Sequence, residues 1–174
     1  MTAVDPPPFD PRLIVFLDIE ASGLGEDSFP IEVGWAFLAG PSGGMLIRPA
    51  ADWDMDAWDP MAEALHHISR GDLMRDGHAP RDVAEHLNRL LAPPLRVFSD
   101  APDQDSFWLR RLFEETPEVQ EFRLEDDGMA RGQWFGEAPP ARNRASDVRH
   151  LHRAEADALV IVTAWRTHLA SKRR

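Results

Sequence analysis

Two acidic residues follow an apolar run near the start of the chain, and their spacing suits a metal ion. The run Leu13–Leu17 predicts a buried strand that continues through Asp18-Ile19-Glu20. Because alternate strand residues point the same way, Asp18 and Glu20 share one face. Neighbouring carboxylates repel, which raises the pKa of at least one, and a cation relieves that repulsion. Hard oxygen ligands suit Mg²⁺ or Mn²⁺, although a strand end that simply faces solvent is the alternative.

A histidine and an aspartate near the C-terminus form a second candidate constellation. His152 and Asp157 are five residues apart, so they would not share a face of one continuous helix. They converge if His152 lies in the loop before a helix and Asp157 lies in its second turn. A surface histidine beside a solvated aspartate is the alternative.

These residues resemble the motifs of one enzyme family. Phe16–Leu24 resembles the first motif of the DEDDh 3′–5′ exonucleases, Pro30–Trp35 the strand after it, and His152–Ala158 the third motif with its His-x4-Asp spacing. The family includes ribonuclease T, oligoribonuclease and polymerase proofreading subunits, and the resemblance spans about residues 13–165. Only His152 has the family spacing to Asp157, so His150 is interpreted as structural.

The resemblance implies a metal-dependent exonuclease with a ribonuclease H-like fold. It would shorten single-stranded or short RNA or DNA from the 3′ end and release nucleoside 5′-monophosphates, and it leaves the choice between RNA and DNA open. The residues implied are His152 as general base and four ligands of two Mg²⁺ or Mn²⁺ ions: Asp18, Glu20, Asp105 and Asp157.

The family's second motif also carries a metal-binding acid, and the residue that fills this position in the chain is ambiguous. The resemblance aligns Asp105 with the metal-binding position, because Phe107-Trp108-Leu109 follows where the family carries aromatic and apolar residues. The spacing is one residue longer than the family pattern, so Asp100 stays as an alternative ligand. Asp103 is interpreted as an acid at a helix start, where the helix dipole favours negative charge.

Several other side chains could contact a substrate. His66-His67-Ile68-Ser69 resembles the His-Gly-Ile-Thr/Ser turn of the family, which implies substrate-side packing for His66, whereas a helix-ending turn is the alternative. Phe107 and Trp108 are further substrate-side candidates, and Trp108 also fits a core position or a pocket wall. Two tryptophans could stack on bases, but packing under a long loop is preferred for them: Trp53 and Trp58. Four arginines could hold a phosphate or form a solvated face: Arg142, Arg144, Arg149 and Arg153.

Composition narrows the class of protein. The 174 residues suit one compact domain, and 43% are hydrophobic, which is enough for a core. No cysteine is present, which excludes disulfides and thiolate chemistry. The net charge of −11 argues against tight binding to long duplexes. With no signal-like or membrane-spanning run, a cytoplasmic location without membrane contact is expected, and a homodimer is left open.

The pattern of elements predicts an α/β fold. Three antiparallel strands are expected at about 12–19, 31–38 and 45–48, followed by strands at about 95–98 and 121–124 that alternate with helices. Helices are expected at about 60–66, 80–91, 102–115 and 154–170, and residues 126–141 are expected to be mobile. A mixed five-stranded sheet flanked by helices results, with residues 1–11 as a loose leader and 12–174 as one exonuclease domain. The alternatives are a catalytically weak nucleic-acid-binding or partner module that keeps the fold, and another metal-dependent phosphatase or nuclease.

Overall fold

A single mixed sheet runs through the computed structural model, which describes residues 8–136 and 152–172. Within those residues the strands follow the order β3-β2-β1-β4-β5. The first three strands are antiparallel neighbours, and β4 and β5 run parallel to β1. Their bounds are β1 Ile14–Ala21, β2 Pro30–Phe37, β3 Ser42–Leu46, β4 Arg96–Ser99 and β5 Leu124–Asp126. The predicted α/β fold, with three antiparallel strands first, is confirmed.

Helices cover both faces of this sheet. Their bounds are α1 Pro60–His66, α2 Arg70–Asp76, α3 Pro80–Leu91, α4 Pro102–Glu114, α5 Asp127–Phe135 and α6 Ala154–Lys172, with short 3₁₀ turns at Pro11–Leu13 and Met55–Ala57. None of the helices in the described ranges is long and apolar enough to cross a bilayer.

The alternation of β1 decides which side chains meet which helices. Val15 and Leu17 belong to the core under α2, α3 and α4, whereas Ile14 and Phe16 belong to a second core with α5 and α6. Asp18 and Glu20 continue the even-numbered row, so they lie on the α6 side of the sheet.

Helix α2 is absent from the sequence-based prediction, although a local signal for it exists. Ser69 caps the helix: its hydroxyl accepts from the Asp72 N–H at 3.1 Å, and the Asp72 carboxylate accepts from the Ser69 N–H at 2.9 Å. This capping box satisfies backbone donors at the helix start. Gly71 inside the helix lowers its propensity, which obscured the signal.

The segment at 126–141, which was expected to be mobile, contains a helix in its first part, since Asp127–Phe135 form α5. Asp126 caps this helix by accepting from the Met129 N–H at 2.9 Å. Trp134 and Phe135 pack against the second core, and this tertiary packing outweighs the low helix propensity of the local glycines. Residues 137–141 lie outside the described residues.

The proposed leader lies partly outside the described residues, which begin at residue 8. Phe9, within that leader, places its ring 5.3 Å from Trp134 and 5.5 Å from Phe135. The chain just before β1 therefore packs on the second core.

Candidate active site

The paired acids of β1 lie at the edge of the second core. Asp18 is 9% exposed, and Glu20 is partly buried. Burial raises the pKa of Asp18 well above its ordinary value, and repulsion from Asp105, Glu20 and Asp157 adds to this. Burial and the nearby Asp157 raise the pKa of Glu20 to about 8. The structure thus places these acids where their negative charges oppose one another.

Helix α4 brings Asp105 to the same place. Asp105 is 1% exposed and makes the largest electrostatic contribution to the raised pKa of Asp18. Ser99, the last residue of β4, donates its hydroxyl to the Asp105 carboxylate and accepts from the Ala101 N–H at 2.8 Å. Asp100 also raises the pKa of Asp18 but by less. Ser99 was not singled out from the sequence, although its place at a strand end beside the acidic motif was the available signal.

Helix α6 supplies the third element. His152 precedes the helix, and Asp157 lies in its first turn rather than the expected second. His152 Nδ1 is 3.7 Å from Asp157 Oδ2. Glu20, His152 and Asp157 each offer a ligand atom, and these atoms lie within 4.8 Å of one another. The strand and the helix therefore bring the predicted first and third motifs into one cluster.

A buried glutamate beside the cluster was quoted from the sequence only as part of the second strand. Glu32 pairs with Glu20 across β1 and β2, is 5% exposed, and contributes to the raised pKa of Glu20. Its carboxylate binds Arg153, the residue after His152. A charged residue between Ile31 and Val33 was the signal, because a buried charge needs a partner.

The predicted substrate-side residues have different surroundings. His66 is buried, its Nδ1 accepts from the Ile68 N–H at 3.0 Å, and burial lowers its pKa. Trp108 is 4% exposed and donates to Ser28 at 3.1 Å, which ties α4 to the loop after β1. Phe107 is partly buried, with the Arg110 guanidinium 5.5 Å from its ring centre.

The remaining candidates divide between core and surface. Trp53 and Trp58 are buried, and Trp53 stacks on Phe29 at 5.1 Å, as packing under the loop predicts. Asp103 is exposed in the first turn of α4. Of the arginine group, Arg153 binds Glu32. The other members lie outside the described residues, as does His150: Arg142, Arg144 and Arg149.

The donor set of this cluster fits a hard divalent cation. Asp18, Glu20, Asp105 and Asp157 offer carboxylate oxygens, the ligands that Mg²⁺ and Mn²⁺ prefer. The raised pKa values of Asp18 and Glu20 come partly from mutual repulsion, which a cation between them would remove. A divalent cation is therefore the partner that this electrostatic arrangement suits.

No protein-family model matches the chain, and no curated protein matches it by sequence. Solved structures do match. The zinc-bound form of the E. coli exonuclease I complex with single-stranded DNA superimposes on 92% of this chain and 41% of its own, with a TM-score of 0.65 and 13% identity. The fold is similar to that of exonuclease I.

Two further exonuclease I structures agree. The E. coli enzyme with a dT13 oligonucleotide matches with a TM-score of 0.62 and 14% identity, over 88% of this chain and 40% of that one. Exonuclease I from Methylocaldum szegediense matches with a TM-score of 0.62 and 16% identity, over 88% and 39%. The chain thus spans about two fifths of the exonuclease I length. At these identities the likeness establishes the ribonuclease H-like fold and singles out no member of the exonuclease family.

Proposed function

We propose that this protein is a metal-dependent 3′–5′ exonuclease that acts on single-stranded or short nucleic acid. One observation carries the proposal: three separate elements of an exonuclease I-like fold bring four acids and a histidine into one cluster. Exonuclease I is known in complexes with single-stranded DNA and oligonucleotides, which supports the substrate class.

The four acids would hold two Mg²⁺ or Mn²⁺ ions: Asp18, Glu20, Asp105 and Asp157. When bound, such ions neutralise the scissile phosphate and lower the pKa of a water. The protein's own part is to hold these oxygens in place, and the Ser99 hydroxyl contributes by fixing the Asp105 carboxylate.

His152 serves as general base in this proposal. Its Nδ1 lies 3.7 Å from Asp157 Oδ2, so the ring is placed within the acidic cluster, where it would accept a proton from the attacking water. The water oxygen bonds to phosphorus, the bond from phosphorus to the 3′-oxygen breaks, and that oxygen takes a proton from solvent. A nucleoside 5′-monophosphate is released.

The test is hydrolysis of 5′-labelled single-stranded RNA and DNA with Mg²⁺, Mn²⁺ or EDTA. We expect a ladder that shortens from the 3′ end, is absent with EDTA, and reveals the preferred sugar. Asp18→Ala should abolish it, whereas Asp103→Ala, an exposed acid outside the cluster, should not. If neither polymer is cleaved with any metal, the exonuclease is wrong and the binding-module alternative replaces it.

His152→Ala separates the general base from a metal ligand, since Glu20, His152 and Asp157 are also close enough to share an ion. A general base contributes about 10²- to 10⁴-fold to turnover. We expect kcat to fall by that range while the metal concentration for half-maximal activity stays nearly constant. Should the metal concentration for half-maximal activity rise by a factor comparable to the fall in kcat, His152 is a ligand and the assignment as base is wrong.

A further inference from the structure

Glu32, the buried glutamate beside the cluster, makes several hydrogen bonds to the start of α6. Both its oxygens accept hydrogen bonds: Arg153 Nε lies 3.1 Å from Oε1 and 3.0 Å from Oε2, and Arg153 Nη2 lies 2.5 Å from Oε1. The Ala154 N–H donates to Oε2 at 2.9 Å. One buried carboxylate therefore binds both a side chain and the backbone at the start of α6.

The start of α6 also lies directly on the backbone of β2. A Cβ atom on Gly34 would be 2.0 Å from the Glu155 nitrogen and 2.1 Å from the Ala154 carbonyl carbon. On β3, the Ser42 hydroxyl donates to Glu155 Oε1 at 2.7 Å. The first turn of α6 is thus held against two strands, and Glu32 is the charged member of that contact.

This contact is continuous with the proposed catalytic residues. Arg153 follows His152 directly, and Asp157 donates its N–H to the Arg153 carbonyl at 2.9 Å. A rotation of Arg153 about the helix start would therefore move both residues. Proximity catalysis is sensitive to such shifts, since a displacement of about 1 Å can cost about 10²-fold in rate.

We propose that Glu32 is a positioning residue, which acts through Arg153 and the Ala154 N–H to hold His152 and Asp157 in register with the acids of β1. The inference rests on the proposed function and deepens it. A role for Glu32 as a fifth metal ligand fits the structure less well, because its oxygens already accept from Arg153 and Ala154 and its charge is matched by the guanidinium.

The test compares Glu32→Gln with Arg166→Gln. Glutamine keeps the shape of Glu32 but removes the charge that pairs with Arg153. Arg166 anchors the same helix to the sheet by donating to the Leu38 carbonyl at 3.0 Å, but about 20 Å farther along at 1.5 Å per residue. Both variants are assayed below their unfolding temperatures, so that any loss of turnover is not a loss of folded protein. Arg153→Lys, which keeps the charge but loses the fork of donors, serves as a milder variant if Glu32→Gln does not fold.

Two measurements are made on each variant: kinetics, and NMR of ¹⁵N-labelled histidine rings, with the His152 signals assigned by their loss in His152→Gln. For Glu32→Gln we expect kcat to fall about 10- to 100-fold, KM to change less than about threefold, and the His152 signals to shift. Arg153→Lys should shift them in the same sense, and Arg166→Gln should leave both kcat and the signals unchanged.

The inference is overturned if Glu32→Gln leaves kcat and the His152 signals as in the wild type, or if Arg166→Gln changes both equally, because the effect would then be general docking of α6. If Glu32→Gln needs a higher metal concentration for half-maximal activity than Arg153→Lys does, Glu32 is instead a metal ligand. If the wild type cleaves no polymer, the proposed function fails by itself, and the ring signals still decide whether Glu32 positions His152.

Discussion

His67 ends helix α1 with a left-handed backbone, at φ 55° and ψ 27°. This is the position where the exonuclease family that the sequence resembles carries glycine. A residue with a Cβ pays about 1–2 kcal/mol in this conformation, whereas glycine does not. Glycine also loses more freedom on folding, by about 0.5–1 kcal/mol, so the net gain is smaller than the strain.

We therefore expect His67→Gly to raise the free energy of unfolding by about 0.5–1 kcal/mol. The measurement is urea unfolding of His67→Gly and His67→Ala. The alanine variant also removes the exposed imidazole but keeps the Cβ, so it should show no gain. Equal stabilisation by both variants would attribute the effect to the imidazole and not to the backbone.

Individual site residues differed in how far the sequence could predict them. The shared face of Asp18 and Glu20 could be predicted because the backbone fixes the alternation of side chains along a strand. The structure places both on the α6 face. Glu32 was not singled out, since its role depends on Arg153, a partner far away in sequence that the pattern of one strand cannot supply. Ser99 was not singled out either, although its partners are local: it binds Asp105 and Ala101. Catalytic roles for these residues remain predictions.

Among the elements, the contact between β2 and α6 leaves no room for a side chain at Gly34. Gly34 lies opposite Asp18 on β1, and the α6 backbone occupies the space that a side chain would need. Glycine is required here by this close approach and not by backbone dihedral angles. The contact sets how near α6 comes to the acids of β1.

Gly34→Ala should therefore displace the start of α6. We expect the free energy of unfolding to fall by at least about 3 kcal/mol, at the upper end of overpacking effects because the clash is with backbone. The matched variant is Gly25→Ala, where an added Cβ meets nothing within 4 Å. Thermal unfolding of both variants is the measurement, and comparable melting temperatures for the two would show that α6 does not depend on this contact.

Long elements with strong patterns were predicted best. Helix α3 was expected at 80–91 and occupies those residues, because its apolar positions recur on one face. Helix α5 was missed, since its stability comes from Trp134 and Phe135 packing on the second core and not from local propensity. Its sequence contains two glycines and few local helix signals, so only the tertiary structure explains it.

At the scale of the whole molecule, the acidic cluster should set how stability depends on pH and metal. Without a cation, the folded protein holds a proton on Glu20 with a pKa of about 8, against an ordinary value of 4.5. The folded state therefore binds protons more tightly than the unfolded state, so stability falls as pH rises from about 4.5 to about 8 and levels off above that. The slope is at most about 1.4 kcal/mol per pH unit for one such group. Asp18, whose pKa is also raised, acts in the same sense.

A divalent cation takes the place of that proton, so its stabilising effect should grow with pH. We expect the melting temperature in EDTA to fall between pH 6.5 and 8.5, and the increase caused by excess Mg²⁺ or Mn²⁺ to be larger at pH 8.5. The window begins at 6.5 because burial lowers the pKa of His66 and His86 below that ordinary value, and the opposing gain of stability with pH that they cause falls mainly at and below 6.5. Glu20→Gln removes one of the two ionisable groups, so it should make the fall of the melting temperature in EDTA less steep, whereas Asp103→Asn on the exposed start of α4 should not. A metal effect of equal size at both pH values would mean that the cation does not compete with the proton on Glu20, and the four acids would then not form the metal site.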